Sequence, residues 1–186
     1  TNQDVSEEGF LDLDGLYADM VAYNRRIADD GQSGLVDAWS YQRSEIDLRA
    51  YGFPDQMIGY VEVPAIGQTL PLYLGATSEQ MSLGAVQLTQ TSMPIGGTDT
   101  NCVIAAHRGA WSSAMFRDIE DLEPGDEVRV TNPWGTLTYR VRETKVIAPN
   151  DIRQILIQKG KDMVTLITCH PYGSSEKRYV VYCDRT

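Results

Sequence analysis

Seven short segments rich in β-branched and aromatic residues most constrain how this chain can fold. They cover residues 57–63, 70–74, 102–106, 127–131, 137–146, 163–168 and 179–183, and Gly, Pro, Asn and Asp punctuate the gaps between them. Segments of this length and composition predict β-strands, and many short strands separated by turns predict a barrel or a sandwich. The predicted fold class is therefore mainly β.

The N-terminal part of the chain has a helical pattern instead. Apolar residues recur with helical spacing over residues 13–27, at Leu16, Tyr17, Met20, Tyr23 and Ile27. A second short helix is predicted over residues 45–51, before Gly52 and Pro54. We therefore expect one structural unit, in which an N-terminal helical segment, residues 1–56, lies on a mostly β domain, residues 57–186.

Two helical insertions are predicted between the strands. Residues 115–122 place three apolar side chains on one face, and a turn at residues 124–126 ends the stretch. Asn150 is the predicted N-cap of the other helix, which runs to Gly160 with Ile152, Ile155 and Leu156 facing inward.

Composition excludes several classes of protein. The 186 residues contain 16 Lys and Arg against 26 Asp and Glu, a net charge of −10, which argues against nucleic-acid binding. Three cysteines are too few for a disulfide scaffold, and no tight Cys/His cluster offers a metal site. We therefore predict no metal and no cofactor. The sequence contains no run of about 18 apolar residues and therefore predicts no membrane span within it.

A cysteine and a histidine each follow a predicted buried strand. Cys169 comes directly after residues 163–168, and His107 follows residues 102–106. Residues at strand ends lie at a rim that a ligand can reach, and a nearby imidazole is the commonest means of producing a thiolate. His170 is a rival base, but neighbouring residues of a strand point to opposite faces, which favours His107.

Arg178 begins the last predicted strand, nine residues after Cys169. A short reversal returns the chain antiparallel and brings Arg178 level with Cys169, where a guanidinium can stabilise an oxyanion. From the residues alone, the alternatives stay open. Cys169 also fits a small buried hydrophobe, His107 a surface turn residue and Arg178 a solvated charge.

The segment TLITC at residues 165–169 resembles the TLxTC signature of sortases, and Arg178 matches their downstream active-site arginine. Further motifs resemble the pilin-polymerising class C sortases, and these are MIGYVEVP at 57–64, TSMPIGG at 91–97, AHRG at 106–109 and CHPYG at 169–173. The resemblance covers residues 57–182. It implies a closed sortase-type β-barrel of about eight strands with N-terminal helices and short helical insertions.

The resemblance also implies a reaction and its partners. Cys169, His107 and Arg178 are the expected catalytic residues of a cysteine transpeptidase that cuts an LPxTG-like sorting signal between Thr and Gly. A thioester would then pass to a lysine amine of a pilin. The partners implied are a pilin or surface protein carrying the signal and a lysine-bearing pilin as acceptor. A membrane anchor outside these residues and a place on the extracellular face of a Gram-positive-type membrane are implied as well.

Class C sortases often carry an N-terminal lid with an Asp-Pro-aromatic motif, which Asp37-Ala38-Trp39 resembles apart from Ala38. We expect Asp37 to pair with Arg178 and the Trp39 ring to cover the Cys169 sulfur. The alternative readings are a solvated Asp37 and a Trp39 that is simply part of the core. For the whole protein, the alternatives are a housekeeping sortase that uses cell-wall peptide, a cysteine hydrolase, and a non-enzymatic β-barrel binding module.

Overall fold

The computed structural model describes residues 10–109 and 113–186, so residues 1–9 of the predicted N-terminal segment lie outside the described residues. Within the described residues there are two α-helices, α1 Leu13–Asp30 and α2 Ser78–Leu83. The strands are β1 Gln42–Arg43, β2 Met57–Val63, β3 Gln68–Ala76, β4 Ala85–Gln87, β5 Thr100–Ala105, β6 Glu127–Asn132, β7 Gly135–Ile147, β8 Asp162–His170 and β9 Lys177–Arg185.

Strands β2 to β9 form a closed mixed barrel. Their order is β3-β2-β6-β7-β9-β8-β5-β4, and β3 pairs with β4 to close the sheet. The short strand β1 pairs with the last two residues of β3. Two of the pairings are parallel, β3 with β4 and β5 with β8, and the others are antiparallel. The predicted mainly β barrel is confirmed, and each predicted strand is present.

Alternate residues of β8 enter two different clusters of the hydrophobic core. Val164 and Leu166 pack in the larger cluster, together with residues of α1, whereas Met163 and Ile167 pack in the smaller one. This is the period-2 pattern of a strand that is buried on both faces. In the smaller cluster, residues 35–38 contribute Leu35 and Ala38, so this stretch of chain is fixed against the barrel.

Helix α1 attaches the N-terminal segment to the barrel. The Asp12 carboxylate accepts a hydrogen bond from the Gly15 amide at 3.0 Å and caps the helix. Its buried face includes Tyr23 and Asn24, and the Asn24 side-chain oxygen accepts from the Met93 amide at 2.7 Å. The helix continues three residues beyond the predicted end, and the chain then runs on to residues 35–41.

The three other predicted helices are shorter than expected. Only 3-10 helices form, at Leu48–Tyr51, Ile119–Asp121 and Ile152–Ile155. Asn150 is not an N-cap, and Asp151, which precedes the last of these helices, makes no capping bond with its side chain. The predicted apolar contacts are nevertheless present, because tertiary packing buries Ile155 and partly buries its neighbours without a regular helix. Among the described helices, none has the length and hydropathy that a membrane span requires.

Candidate active site

Strand pairing places Arg178 beside Cys169. In the antiparallel ladder of β8 and β9, Cys169 is the direct partner of Arg178. Directly opposed residues of such a ladder have side chains on the same face with Cβ atoms about 4.5–5.5 Å apart. The two side chains therefore share one end of the barrel wall.

His107 reaches the same end of the barrel through a parallel pairing. Ala105 of β5 is paired with Ile167 of β8, so His107 and Cys169 both lie two residues beyond that pair. The Thr168 hydroxyl donates to the Ala106 carbonyl at 2.8 Å and keeps the two neighbouring segments in register past the end of β5. Cys169 and His107 line one groove of about 600 Å³, together with apolar side chains that include Met115 and Tyr172.

The guanidinium of Arg178 is buried and fully engaged. The residue is 4% exposed. Its Nε and Nη2 donate to the two carboxylate oxygens of Asp37, each at 2.9 Å, and its Nη1 donates to the carbonyls of Ser175 and Lys177. Such a bidentate pair is among the stronger hydrogen-bonded contacts in proteins. The Asp37 carboxylate, expected beside Arg178, thus occupies the Nε and Nη2 edge of the guanidinium.

Trp39 lies against two members of the site. Its ring centre is 4.5 Å from Cζ of Arg178, a cation–π contact, and its Nε1 donates to Nδ1 of His107 at 3.5 Å. The sequence predicted that this ring covers the Cys169 sulfur. The contacts observed for the ring are with Arg178 and His107, and the ring is carried by the short helix Ala38–Ser40, which Asp37 caps. Coverage of the Cys169 sulfur stays a prediction.

The surroundings favour the neutral forms of both reactive groups. Burial lowers the pKa of His107 below its ordinary value. Burial also raises the pKa of the Cys169 thiol, and the Asp37 carboxylate raises it further, while Arg178 and Arg108 oppose that rise.

Arg108 was not singled out by the sequence analysis, although it directly follows His107. Its side chain is 8% exposed and donates to the carbonyls of Cys169 and Arg117, each at 2.8 Å, and to the Glu120 carboxylate. Nδ1 of His170 lies 3.2 Å from the same carboxylate, away from the thiol, as the alternation of a strand predicts. A charged residue two positions after a predicted buried strand was the available signal.

The other two cysteines have a different environment. Cys102 and Cys183 are free, buried, and members of the larger core cluster, and burial raises the pKa of both thiols. Thiols of this kind are unreactive. Among the described residues, no three His, Cys, Asp or Glu side chains come together in a way that could hold a metal ion.

Comparison with known proteins relates this arrangement to one family. The model of the sortase domain matches residues 61–186, well over half of the chain. A curated relative, sortase D of Bacillus subtilis (strain 168), is 29% identical over 133 residues, which are 70% of this chain. The match covers 64% of that relative, so the chain spans less than two thirds of its length.

Solved structures give a closer match over a larger share of the chain. Streptococcus agalactiae sortase C1 in complex with MTSET is 32% identical, with a TM-score of 0.81. The match covers 90% of this chain and 86% of the sortase C1 chain. The pilus-related sortase C of Group B Streptococcus is also 32% identical, with a TM-score of 0.78, and covers 91% and 89%. The closed barrel, the shared site at its end and the matched domain lead to one conclusion: this chain belongs to the sortase family.

Proposed function

We propose that this protein is a cysteine transpeptidase that acts on an LPxTG-like sorting signal. The observation that carries the proposal is the placement of Cys169 opposite Arg178 and level with His107 in a barrel of the sortase family. In the first step, the Cys169 thiol gives its proton to His107, and the resulting thiolate attacks the carbonyl carbon of the signal's Thr. A C–S bond forms, the Thr–Gly C–N bond breaks, and a thioester remains on the enzyme.

His107 and Arg178 supply the two other functions that this step needs. The tetrahedral intermediate carries a negative oxygen, which the Arg178 guanidinium stabilises. His107 in its protonated form donates a proton to the departing Gly amine. In the second step an incoming amine attacks the thioester and gives a proton to His107, the new C–N bond forms, and the C–S bond breaks.

The acceptor that we propose is the lysine ε-amine of a pilin, which makes the product an isopeptide-linked pilus subunit. The support is the likeness to a sortase C described as pilus-related, at 32% identity over 91% of this chain. Curated relatives named sortase D and sortase A, each at 29% identity, support a second candidate function, namely attachment of surface proteins to cell-wall peptide. Both candidates use the same thioester and differ only in the accepting amine.

Residues 35–41 are proposed to act as a lid on this site. The Asp37 carboxylate accepts from Nε and Nη2 of the Arg178 guanidinium, the donors that an oxyanion would use, and Trp39 Nε1 donates to Nδ1 of His107. A bound sorting signal must therefore displace both side chains before the chemistry begins. We further propose that residues 1–56 are the lid-bearing segment and residues 57–186 the catalytic barrel, on the outer face of a Gram-positive-type membrane with the anchor outside these residues.

A product assay tests the proposed acceptor. The protein is incubated with a peptide that carries an LPxTG-like signal and with a lysine-bearing pilin domain, cell-wall peptide or buffer, and the products are identified by mass spectrometry. Pilin polymerisation predicts a product of signal and pilin joined through a lysine, which is lost when that lysine is replaced by Arg. A product formed only with cell-wall peptide would favour the second candidate, and hydrolysis alone would contradict both.

A further inference from the structure

Arg108 connects two parts of the site that the barrel ladder alone does not hold together. The β5–β8 pairing ends at Ala105 and Ile167, so the loop that carries His107 continues beyond the last ladder pair. The Arg108 side chain crosses this gap, and its Nη1 donates to the backbone carbonyl of Cys169 at 2.8 Å. One guanidinium thus joins the loop of the imidazole to the strand end of the thiol.

The other donors of Arg108 fix the loop itself. Nε donates to the Arg117 carbonyl at 2.8 Å, and Nη2 donates to the Glu120 carboxylate. The backbone adds one more contact, because the Phe116 amide donates to the His107 carbonyl at 3.2 Å. Residues 116–120 are therefore joined to His107 and Arg108 through a buried guanidinium that also contacts the end of β8.

We infer that Arg108 is a positioning residue for the proposed acyl transfer, one that holds the His107 loop and Cys169 in a fixed relation and adds a permanent positive charge beside the thiol. The inference rests on the proposed function and deepens it. Misplacement of a reacting group by about 1 Å can cost on the order of 100-fold in rate, so a side chain that only orients others can still have a large effect.

Arginine is the side chain that this geometry requires. Three acceptors lie around it in different directions, two carbonyls and one carboxylate, and a planar fork with five N–H groups can reach all of them. A lysine ammonium is a single point at the end of a flexible stem and cannot hold this arrangement. Nδ1 of His170 lies 3.2 Å from the Glu120 carboxylate, so this carboxylate is shared between Arg108 and His170.

The charges around the thiol provide a measurement that does not depend on turnover. The groups that face Cys169 are Arg108 and Arg178, which lower the pKa of its thiol, and Asp37, which raises it, while burial raises it most. His107 lines the same groove, and burial lowers its pKa. Loss of the Arg108 charge should therefore shift the pH midpoint of Cys169 alkylation upward.

The test compares Arg108→Gln and Arg108→Lys with the matched control Arg117→Gln. Arg117 lies in the same loop and contributes to the network only through its backbone carbonyl, so the control removes an equal charge and leaves the bonds of Arg108 in place. Each substitution is made in the full chain, with and without Asp37→Gly and Trp39→Gly. We measure kcat and KM for the signal peptide and the pH dependence of Cys169 alkylation by iodoacetamide.

For Arg108→Gln we expect kcat to fall about tenfold or more with KM within about twofold, and the alkylation midpoint to rise. For Arg108→Lys we expect kcat to fall as it does in Arg108→Gln. The pH midpoint of Cys169 alkylation should stay unchanged, because the positive charge remains. An unchanged kcat in Arg108→Lys, an unchanged midpoint in Arg108→Gln, or equal shifts in Arg117→Gln would each overturn the inference. If Arg108→Gln does not fold, the kcat of Arg108→Lys alone tests the inference, and an unchanged value overturns it.

The two readouts also separate this inference from the proposed reaction. Alkylation needs no acyl transfer, so the charge effect of Arg108 is measured even in a protein that turns over no sorting signal. Absent turnover in the open variant Asp37→Gly, Trp39→Gly would count against the proposed function, whereas an unmoved alkylation midpoint would count against Arg108 alone.

Discussion

The strands β8 and β9 and the proposed lid, residues 35–41, contribute to the same site by different means. Between β8 and β9, the register runs without a break from Met163 paired with Asp184 to His170 paired with Lys177. The lid contributes side-chain contacts of Asp37 and Trp39 and the apolar contacts of its early residues. One side is held by backbone hydrogen bonds and the other mainly by two side chains.

This difference indicates which part of the site can move. Opening the proposed lid would replace an ion pair and a ring contact by contacts with water. Moving Cys169 relative to Arg178 would instead break a continuous ladder of backbone hydrogen bonds. A buried ion pair contributes little net free energy of folding, because desolvation offsets much of the attraction. We therefore expect a bound substrate to displace the proposed lid at modest cost while the Cys169–Arg178 geometry stays fixed.

The largest effect is expected in the reactivity of the three thiols. Iodoacetamide should modify Cys169 on the order of 100-fold faster than Cys102 or Cys183, because those two are buried in the core and burial raises their thiol pKa. Peptide mapping after timed alkylation measures the three rates. Similar rates for all three thiols would instead support the non-enzymatic binding module.

Removing both lid side chains should raise turnover by about tenfold or more. In the Asp37→Gly, Trp39→Gly variant, Arg178 and His107 lose the partners that occupy them, and the population shifts toward the open site. Release of product from a signal peptide measures the rate. Tyr41→Gly is the matched control, since it changes an exposed residue at the end of the same segment without touching either contact.

Equal rates in the double variant and the unsubstituted protein would contradict the lid. An equal gain in Tyr41→Gly would assign the effect to flexibility of the segment rather than to the two contacts.

A smaller effect is expected in the pH dependence of the thiol. The Asp37 charge raises the pKa of Cys169, so Asp37→Asn should lower the pH midpoint of alkylation. Any opening of the lid acts in the same direction, because it hydrates the thiolate. Asp30→Asn removes the same charge from the exposed end of α1 and should leave the midpoint unchanged. A midpoint that rises in Asp37→Asn would refute the electrostatic account.

The smallest effect concerns the residue that departs from the family motif. Ala38 is the first residue of the helix Ala38–Ser40, and Asp37 has φ −55° and ψ 141°, a conformation compatible with a following proline. Ala38→Pro should favour the closed lid by about 0.4–1 kcal/mol and lower turnover by about two- to fivefold. Ala38→Gly should act in the opposite direction, and steady-state rates compare the two. Faster turnover in Ala38→Pro would contradict this view of the lid.

Most of the barrel could be predicted because its strands carry strong local signals. The segment 163–168 is a continuous apolar run, and the nine-residue offset from Cys169 to Arg178 suits a short reversal, which together placed the two residues opposite each other. Strand β4 was missed, since Ala85-Val86-Gln87 is short and only its pairing with β3 and β5 makes it a strand.

Contacts that depend on side-chain direction could not be predicted. The sequence suggested Asp37 as a partner of Arg178, but the placement of the Trp39 ring against Arg178 depends on how a three-residue helix turns. The network of Arg108, Glu120 and Cys169 joins residues far apart in the chain, and their spacing carries no periodic signal. Such contacts follow from packing of the whole fold rather than from local propensity.

The most direct test of the account is intact-mass spectrometry of the acyl-enzyme. The Asp37→Gly, Trp39→Gly variant is mixed with an LPxTG-like peptide and quenched in acid, with and without the added substitution Cys169→Ala. We predict a mass increase equal to the peptide up to its Thr, abolished by Cys169→Ala. An adduct that persists without Cys169, or no adduct in the open variant with Cys169 intact, would contradict the central claim.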